Sequence, residues 1–147
     1  MALTFRTLTF DSPDYDRAVD LRRRVLRTPL GLDFTAEQLA AEASDTHLGV
    51  FHGDALVATV VLTPYGAQTV KLRQMAVSPD HQGQAIGGQL LAAAEMSAVT
   101  AGALRIVLAA RVTAQAFYEK HGYKARGDIF TEVTIPHIEM DKVLGLN

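Results

Sequence analysis

The segment from Met75 to Leu91, MAVSPDHQGQAIGGQLL, has residue types and spacing that suit a site for a phosphate-bearing ligand. It reads as a strand, a loop and a helix whose first turn contains glycines. The start of a helix exposes unpaired N–H groups and the positive end of the helix dipole, and glycine lets a bulky anion approach the backbone. Such a segment can hold a pyrophosphate. The alternative is a glycine-containing loop that only caps a helix.

The sequence lacks the motifs of several other kinds of site, which argues against those chemistries in this chain. No Lys followed by Ser or Thr completes a P-loop, and no G-x-G-x-x-G follows a first strand as in dinucleotide-binding folds. The chain has no cysteine and no G-x-S-x-G elbow, so a covalent acyl-enzyme is disfavoured. The five histidines form no HExxH or other close ligand pair, and we therefore expect no metal site.

Preceded by Val77 and Pro79, the run QGQAIG that starts at Gln82 resembles motif A of the GNAT acetyltransferases. That family has Gln/Arg-x-x-Gly-x-Gly/Ala after a strand that ends in Val-x-Pro. Ala85 replaces the usual first glycine and adds a methyl group where the phosphates would approach. The resemblance implies acetyl-CoA as cosubstrate, with main-chain groups of the strand pairing with the pantetheine arm and amides of the helix start holding the pyrophosphate. The implied cofactor-binding residues are Met75, Ala76, Val77, Gln82, Gly83, Gln84, Ala85, Ile86, Gly87, Gly88, Gln89 and Tyr118.

A second resemblance lies in the segment AQAFYEKHGY, which starts at Ala114. It is similar to motif B of the same family, Ala-x-x-Phe-Tyr-x-x-x-Gly-Phe/Tyr, and the stretch IPHIEM resembles a subgroup of small bacterial-type members. The two motifs follow the family's order, and the resemblance is strong from Lys71 to Met140 and weak before that. It identifies the chain as similar to the GNAT superfamily.

The implied reaction is direct attack of an amine on the thioester carbonyl. The resemblance places Tyr118 near the sulfur of CoA, where a phenol can donate a proton to the departing thiolate; the alternative is a packing residue beside Phe117. A backbone N–H near Met75, at a kink of the strand, would stabilise the oxyanion. The strand before motif A, KLRQMAV, has no carboxylate that could act as the base. The candidates for the base are therefore Glu132, His137 and Asp33, each of which could equally be a structural or surface residue.

An arginine cluster, Arg22, Arg23, Arg24 and Arg27, lies on the first predicted helix. An arginine that reaches the acceptor pocket, together with Arg73, could select an acidic acceptor. For most of the four we expect instead a solvated helix face, partnered by Asp14, Asp16 and Asp20.

The surrounding elements follow from periodicity and turn signals. A first helix is expected from Pro13, after the N-cap Ser12, to about Val25, and Thr35 with Gln38 predicts a capping box. The order β-α-α-β-β-β-α-β-α-β-β predicts an α/β fold: a mixed sheet with helices on both faces, mostly antiparallel if the resemblance holds. The other predicted elements are strands Thr4–Phe10, His47–His52, Ala55–Thr63, Thr69–Val77, Leu104–Ala109, Phe130–Ile135 and His137–Val143, and helices Ala36–Ala43, Ile86–Ala98 and Thr113–His121.

Composition limits the remaining possibilities. The 147 residues fit one domain over residues 1–147. A net charge of −2 argues against a general nucleic-acid binder and against electrostatic membrane adhesion. No signal peptide or apolar run of membrane-spanning length is evident, so we expect a cytoplasmic protein. Sheet edges near the C-terminus are compatible with a homodimer.

Three functions remain open at this point. The first is an acetyl-CoA-dependent N-acetyltransferase acting on a small amine or a peptide amino group. The second is a non-catalytic CoA-binding or regulatory module, in keeping with Ala85 and the missing strand carboxylate. The third is a binding module that uses the same fold without CoA.

Overall fold

The protein is described here by a computed structural model, which covers residues 2–83 and 85–144 of the 147-residue chain. The predicted cofactor-binding residue Gln84 lies outside the described residues. Seven strands form one sheet in the order β1-β2-β3-β4-β5-β7-β6. Every neighbouring pair is antiparallel except β4 and β5, which are parallel. The predicted mixed, mostly antiparallel sheet is therefore confirmed. The strands are β1 Leu3–Leu8, β2 Thr46–His52, β3 Ala55–Pro64, β4 Thr69–Val77, β5 Arg105–Arg111, β6 Lys124–Glu132 and β7 Ile135–Val143.

Among the described residues four α-helices connect the strands, and the first two start at the predicted capping residues. The Ser12 hydroxyl accepts the Tyr15 N–H at the start of α1, and Thr35 and Gln38 form the predicted capping box at the start of α2. After α1 the chain continues through a π-helical turn and a 3-10 turn, so this segment is longer and less regular than predicted. The helices are α1 Pro13–Arg22, α2 Ala36–Ala40, α3 Ile86–Thr100 and α4 Gln115–Lys120, and the turns after α1 are Arg23–Arg27 and Thr28–Leu30.

Helices cover both faces of the sheet. Successive residues of a strand point to opposite faces, so apolar residues on both faces need a helix to pack against. Val50 belongs to the large core, which also contains Leu90 and Leu91 of α3. The next residue, Phe51, packs in a separate small cluster with Ala18 of α1. No helix among the described residues has the length and apolar character needed to cross a membrane.

The final hairpin differs from the prediction. The sequence places a break at Pro136, between strands 130–135 and 137–143, but the turn lies at Val133–Thr134 and Pro136 is a residue of β7 opposite Thr131. Both turn residues have left-handed φ values, 44° and 66°, which β-branched residues rarely adopt, so the sequence contains no turn signal there. Pro136 lies beyond the last β5–β7 pair, Arg111 with His137, where proline is tolerated in a sheet.

The central parallel strands diverge, and the divergence creates the site. β4 pairs with β5 only from Thr69 to Leu72, whereas β4 continues to Val77 beside β3 and β5 continues to Arg111 beside β7. Ala76 pairs with Thr59 but Arg73 pairs with Val61, so β4 carries one extra residue, a bulge at which Gln74 has φ 57°. The kink expected near Met75 is this bulge.

Candidate active site

The divergence of β4 and β5 opens into a cavity of about 320 Å³. β4 contributes residues 71–75 to its wall, and β5 contributes residues 108–111. Because the carboxyl ends of parallel strands lie at the same edge of the sheet, side chains far apart in sequence meet here. Four of them carry the predicted chemistry, and the cavity wall includes Met75, Tyr118, Glu132 and His137.

Main-chain groups of β4 face this opening. The Ser78 N–H donates to the Val57 carbonyl on β3, so the alternation along a strand turns the main chain of Val77, and of Met75, away from β3. The Val77 carbonyl accepts a hydrogen bond from the Gln82 side chain, Nε2 to O 3.1 Å. An extended ligand that lies along this edge would therefore meet main-chain donors and acceptors, as a neighbouring strand would.

Tyr118 projects from α4 toward the same edge. Its hydroxyl lies 3.9 Å from the Met75 sulfur, and the side chain is 9% exposed. Burial raises the pKa of Tyr118 to about 12 because the phenolate would lose hydration. The phenol is thus protonated at neutral pH, as a proton donor must be.

The start of α3 has no side-chain cap, which leaves its first N–H groups available to an anion. Ala85, at the cap position, has φ 61° and ψ 13°, a left-handed conformation that glycine adopts without strain. The family glycine is therefore explained by backbone conformation, and the departure at Ala85 is a strained residue as well as an added methyl group.

The two glycines of the first turn lie close to side chains of α4. A Cβ added at Gly88 would lie 3.0 Å from the His121 ring, and one at Gly87 would lie 3.4 Å from the Phe117 ring. These glycines face α4 and allow the two helices to pack closely. Gly83 lies in the loop before the helix, at φ 84° with open space around it, and its binding role, like that of Gly87 and Gly88, stays a prediction.

Glu132 and His137 are neighbours at the cavity wall. Their closest approach is 3.9 Å, from the His137 Nε2 to Glu132 Oε2, and His137 is 4% exposed. The His137 Nδ1 lies 2.8 Å from the Ile135 carbonyl. A carbonyl only accepts, so Nδ1 carries a proton, and Nε2 is the ring nitrogen nearest Glu132.

Asp33, the third candidate for the base, is not among the cavity-lining residues. Its Oδ1 accepts from the Arg23 Nε at 2.7 Å, and its side chain is 61% exposed. The hydrogen bond from Arg23 lowers the pKa of the Asp33 carboxyl. Arg23 also bonds Asp20 at 2.6 Å, as expected for a solvated helix face.

For Arg22 the expectation of a solvated face is wrong. Arg22 is fully buried and donates two hydrogen bonds to Glu42, at 2.8 and 2.6 Å. A buried guanidinium requires such a partner. The partner, Glu42, lies 20 residues away in the sequence, so no local pattern predicted the pair. Arg27, by contrast, reaches the cavity wall.

Three polar residues of the wall were not predicted: Lys71, Gln74 and Arg111. The signal for Arg111 was its position at the end of an apolar strand in a parallel pair, where a ligand site is expected. Gln74 is exposed to the site by the bulge, and its buried Oε1 has no hydrogen-bond partner among the described residues. A bulge of this kind has no sequence signal here.

Comparison with known proteins agrees with this architecture. An acyl-CoA N-acyltransferase from Pseudomonas aeruginosa has the same fold, with a TM-score of 0.83 and 21% identity over 97% of this chain and 100% of the other. A GNAT family acetyltransferase from Elizabethkingia anophelis, solved with acetyl-CoA bound, matches with a TM-score of 0.75 and 21% identity over 97% and 98% of the two chains. The chain thus shares its fold with these two proteins.

The sequence comparison is more specific. A family model described as an acetyltransferase (GNAT) domain matches residues 28–144, and the chain belongs to the GNAT acetyltransferase family. The uncharacterised N-acetyltransferase YjcF of Bacillus subtilis is 36% identical over 73 residues, which is 49% of this chain. The matched region spans about half of YjcF, 52% of its length.

Proposed function

We propose that the protein transfers an acetyl group from acetyl-CoA to an amine of a small molecule or peptide by direct attack. The observation that carries this proposal is the meeting of Tyr118 and Met75 at the opening between β4 and β5. The family and the acetyl-CoA complex of the Elizabethkingia protein support it.

The donor side fits the residues present. The uncapped start of α3, a helix of 15 residues, suits a pyrophosphate, for which the proposed ligands are main-chain amides between Gln82 and Gln89. The main chain of Met75, Ala76 and Val77 would run beside the pantetheine arm. The Gln82 amide already donates to the Val77 carbonyl, which shows that this edge accepts an amide donor.

In the proposed reaction the amine nitrogen forms a bond to the thioester carbonyl carbon, and the carbon–sulfur bond then breaks. The electron pair of that bond leaves with sulfur, and the Tyr118 hydroxyl supplies the proton that yields the free thiol. The Met75 N–H, beside the bulge at Gln74, would stabilise the oxyanion. The amine gives up one proton in the same process.

The amine's proton requires an acceptor, and His137 is the better placed candidate. Its Nδ1 donates to the Ile135 carbonyl, so Nε2 is the ring nitrogen that would accept the proton of the amine. Glu132, at 3.9 Å from that nitrogen, would stabilise the imidazolium formed and pass the proton to solvent. Glu132 is half exposed at its side chain, which suits that second role.

The test is release of free thiol from acetyl-CoA across a panel of amines, amino acids and peptides, combined with thermal unfolding with and without acetyl-CoA. Turnover with any amine supports the proposal. Stabilisation by acetyl-CoA without turnover across the panel would favour a non-catalytic CoA-binding module. No stabilisation and no turnover would overturn both.

A further inference from the structure

The cavity between β4 and β5 has a local concentration of positive charge. Four basic residues line it, whereas Glu132 is the only carboxylate in its described wall. The whole protein has a net charge of −2, so the excess is local. The four come from the turn after α1 and from strands β4 and β5: Arg27, Lys71, Arg73 and Arg111.

These cations lack the close carboxylate partners that four arginines elsewhere in the described residues have. Among residues 2–83 and 85–144, no carboxylate lies within 4.0 Å of Arg27, Lys71 or Arg111, and Arg73 reaches Asp45 only at 3.9 Å. The arginines outside the cavity at positions 22, 23, 105 and 126 each have a carboxylate oxygen within 3.0 Å. Within the part of the chain that the structure describes, the four cavity cations therefore have no close carboxylate to balance their charge.

Two of the guanidinium groups converge on one point. The Leu26 carbonyl accepts from Arg27 Nη1 at 3.2 Å and from Arg111 Nη2 at 3.3 Å, although the two donors lie on different elements. Phe34 lies under Arg27, with 4.7 Å from the guanidinium carbon to the ring centroid. Burial and the charge of Arg111 lower the pKa of Arg27, which reflects the cost of holding the two cations together.

Like charges held together in a partly buried cavity are stabilised when an anion binds between them. The donor's phosphates are not that anion, because no described residue of the α3 start, 82–89, lines this cavity. The acceptor is the other ligand that must enter. Guanidinium groups bind carboxylates and phosphates through paired N–H donors.

We infer that the acceptor is an amine that also carries an anionic group, a carboxylate or a phosphate, bound by Arg27 and Arg111 with Lys71 and Arg73 at the rim. This inference rests on the proposed function. The amine end of such a molecule lies toward Tyr118, where the unpartnered Gln74 Oε1 can accept one of its N–H donors. Polyamines and other polycationic acceptors are repelled.

The experiment compares kcat/KM for amines that differ only in the anionic group, at saturating acetyl-CoA. The pairs are β-alanine and β-alaninamide, glycylglycine and glycylglycinamide, and phosphoethanolamine and ethanolamine, with putrescine as a polycation. We expect the anionic member to be preferred by about tenfold or more, as for hydrogen bonds to charged groups. Comparison of the preference within the carboxylate pairs with that within the phosphate pair shows which anionic group the site recognises. Equal or better turnover of the neutral members, or of putrescine, overturns the inference.

Variants of the cavity residues test whether the preference for anionic acceptors arises from this cavity. Arg111→Gln and Arg27→Gln should each raise KM for the anionic acceptor about tenfold or more and leave KM for acetyl-CoA unchanged. Arg24→Gln is the matched control, since Arg24 follows α1 on the same turn as Arg27 but is exposed and does not line this cavity. Arg111→Lys, which keeps the charge, should recover part of the loss. Thermal unfolding verifies that each variant is folded.

A direct binding measurement separates this inference from the proposed function. With CoA present, glycylglycine should raise the melting temperature more than glycylglycinamide does, and Arg111→Gln should abolish the difference. A second outcome is that acetyl-CoA binds and neutral amines are turned over while no anionic amine binds preferentially. That result would reject the inference of an anion-binding acceptor site and would leave the proposed acetyltransferase function supported. If acetyl-CoA itself does not bind, the proposed function is wrong.

Discussion

The Tyr118 hydroxyl on α4 lies 3.9 Å from the Met75 sulfur on β4, at the point where the two parallel strands separate. The helix is thereby held against the strand whose bulge faces the cavity. Because the contact involves a weak sulfur acceptor, the phenol has no strong partner of its own. Its proton is therefore available to a ligand that enters between helix and strand.

Tyr118→Phe should lower kcat for acetyl transfer by about 100-fold, the lower range for loss of a general acid, and leave acetyl-CoA affinity within about twofold. Steady-state thiol release and titration with CoA measure the two effects. Tyr123→Phe is the matched control, since Tyr123 packs against Tyr118 with ring centroids 5.8 Å apart but donates to Glu95 at 2.9 Å, outside the cavity. The control should lose about 1 kcal/mol of stability and keep its rate. An equal rate loss in both variants would show that Tyr118 acts through packing.

Ala85→Gly should stabilise the protein by about 1 kcal/mol, because Ala85 occupies the left-handed region at φ 61°. It should also lower KM for acetyl-CoA, since the methyl group at the helix start is removed. Ala92→Gly tests the same change at an exposed position within α3 and should instead cost about 1 kcal/mol. Urea unfolding compares the two, and destabilisation by both variants would contradict the strain at Ala85.

The sequence predicted the sheet and its helices because these depend on local signals. The capping residues Ser12 and Thr35, the hydrophobic periodicity and the glycine loop each act within a few residues. The family resemblance predicted that Tyr118 lies at the site, and the structure places it at the cavity wall; its role as the acid stays a prediction. Glu132 and His137 were named as alternatives, and the structure places both at the cavity wall.

The parts that could not be predicted depend on contacts distant in sequence or on unusual backbone conformations. Arg111 donates to the Leu26 carbonyl although the two residues are 85 positions apart in the sequence, and no local pattern predicts that contact. The positive φ values at Gln74 and Val133 are adopted by residues that seldom show them. The last turn and the limits of β6 were consequently misplaced. The family resemblance gave a kink near Met75, but no residue pattern predicted the bulge conformation of Gln74 or its place in the cavity wall.

Gly88→Ala should destabilise the protein by about 1–3 kcal/mol and lower kcat, because its Cβ would meet the His121 ring at 3.0 Å and displace α4, which carries Tyr118. Gly87→Ala, with its nearest contact at 3.4 Å, should be nearly neutral. The double variant Gly88→Ala/His121→Ala should recover both stability and rate. Persistence of the defect in the double variant would show that Gly88 serves the ligand and not the helix contact.

Raising the pH above about 10 should destabilise the protein through its buried tyrosines. Burial raises the pKa of Tyr118 to about 12 and also raises the pKa values of Tyr15 and Tyr123, each beside a glutamate. Below pH 10 both folded and unfolded states are protonated. Between about 10 and 12 the unfolded state loses protons first, so the unfolding free energy falls by roughly 1.4 kcal/mol per pH unit for each tyrosine. Urea unfolding from pH 9 to 11 measures the slope, which should be shallower in Tyr118→Phe; identical slopes would contradict the burial of this phenol.

Glu42→Gln should be the most destabilising of these changes. Glu42 is 2% exposed, accepts two hydrogen bonds from the buried Arg22, and accepts a third from the Tyr15 hydroxyl at 2.9 Å. Its loss leaves the Arg22 charge uncompensated in the core, at a cost of about 3–5 kcal/mol. The control Asp20→Asn removes the exposed ion pair with Arg23, whose N–O distance is 2.6 Å, and should change stability by less than about 0.5 kcal/mol.

The same carboxylate contributes to acid unfolding. Burial alone would raise the pKa of Glu42, but the hydrogen bonds and charge of Arg22 outweigh burial and lower it. A folded-state pKa below the unfolded value gives stability that is complete above the unfolded pKa and is lost as pH falls through the folded one. Wild-type stability should therefore decline in acid more steeply than that of Glu42→Gln, and the double variant Arg22→Met/Glu42→Leu should recover much of the loss at neutral pH. Parallel acid profiles for wild type and Glu42→Gln would show that the Arg22–Glu42 pair does not contribute to the pH dependence.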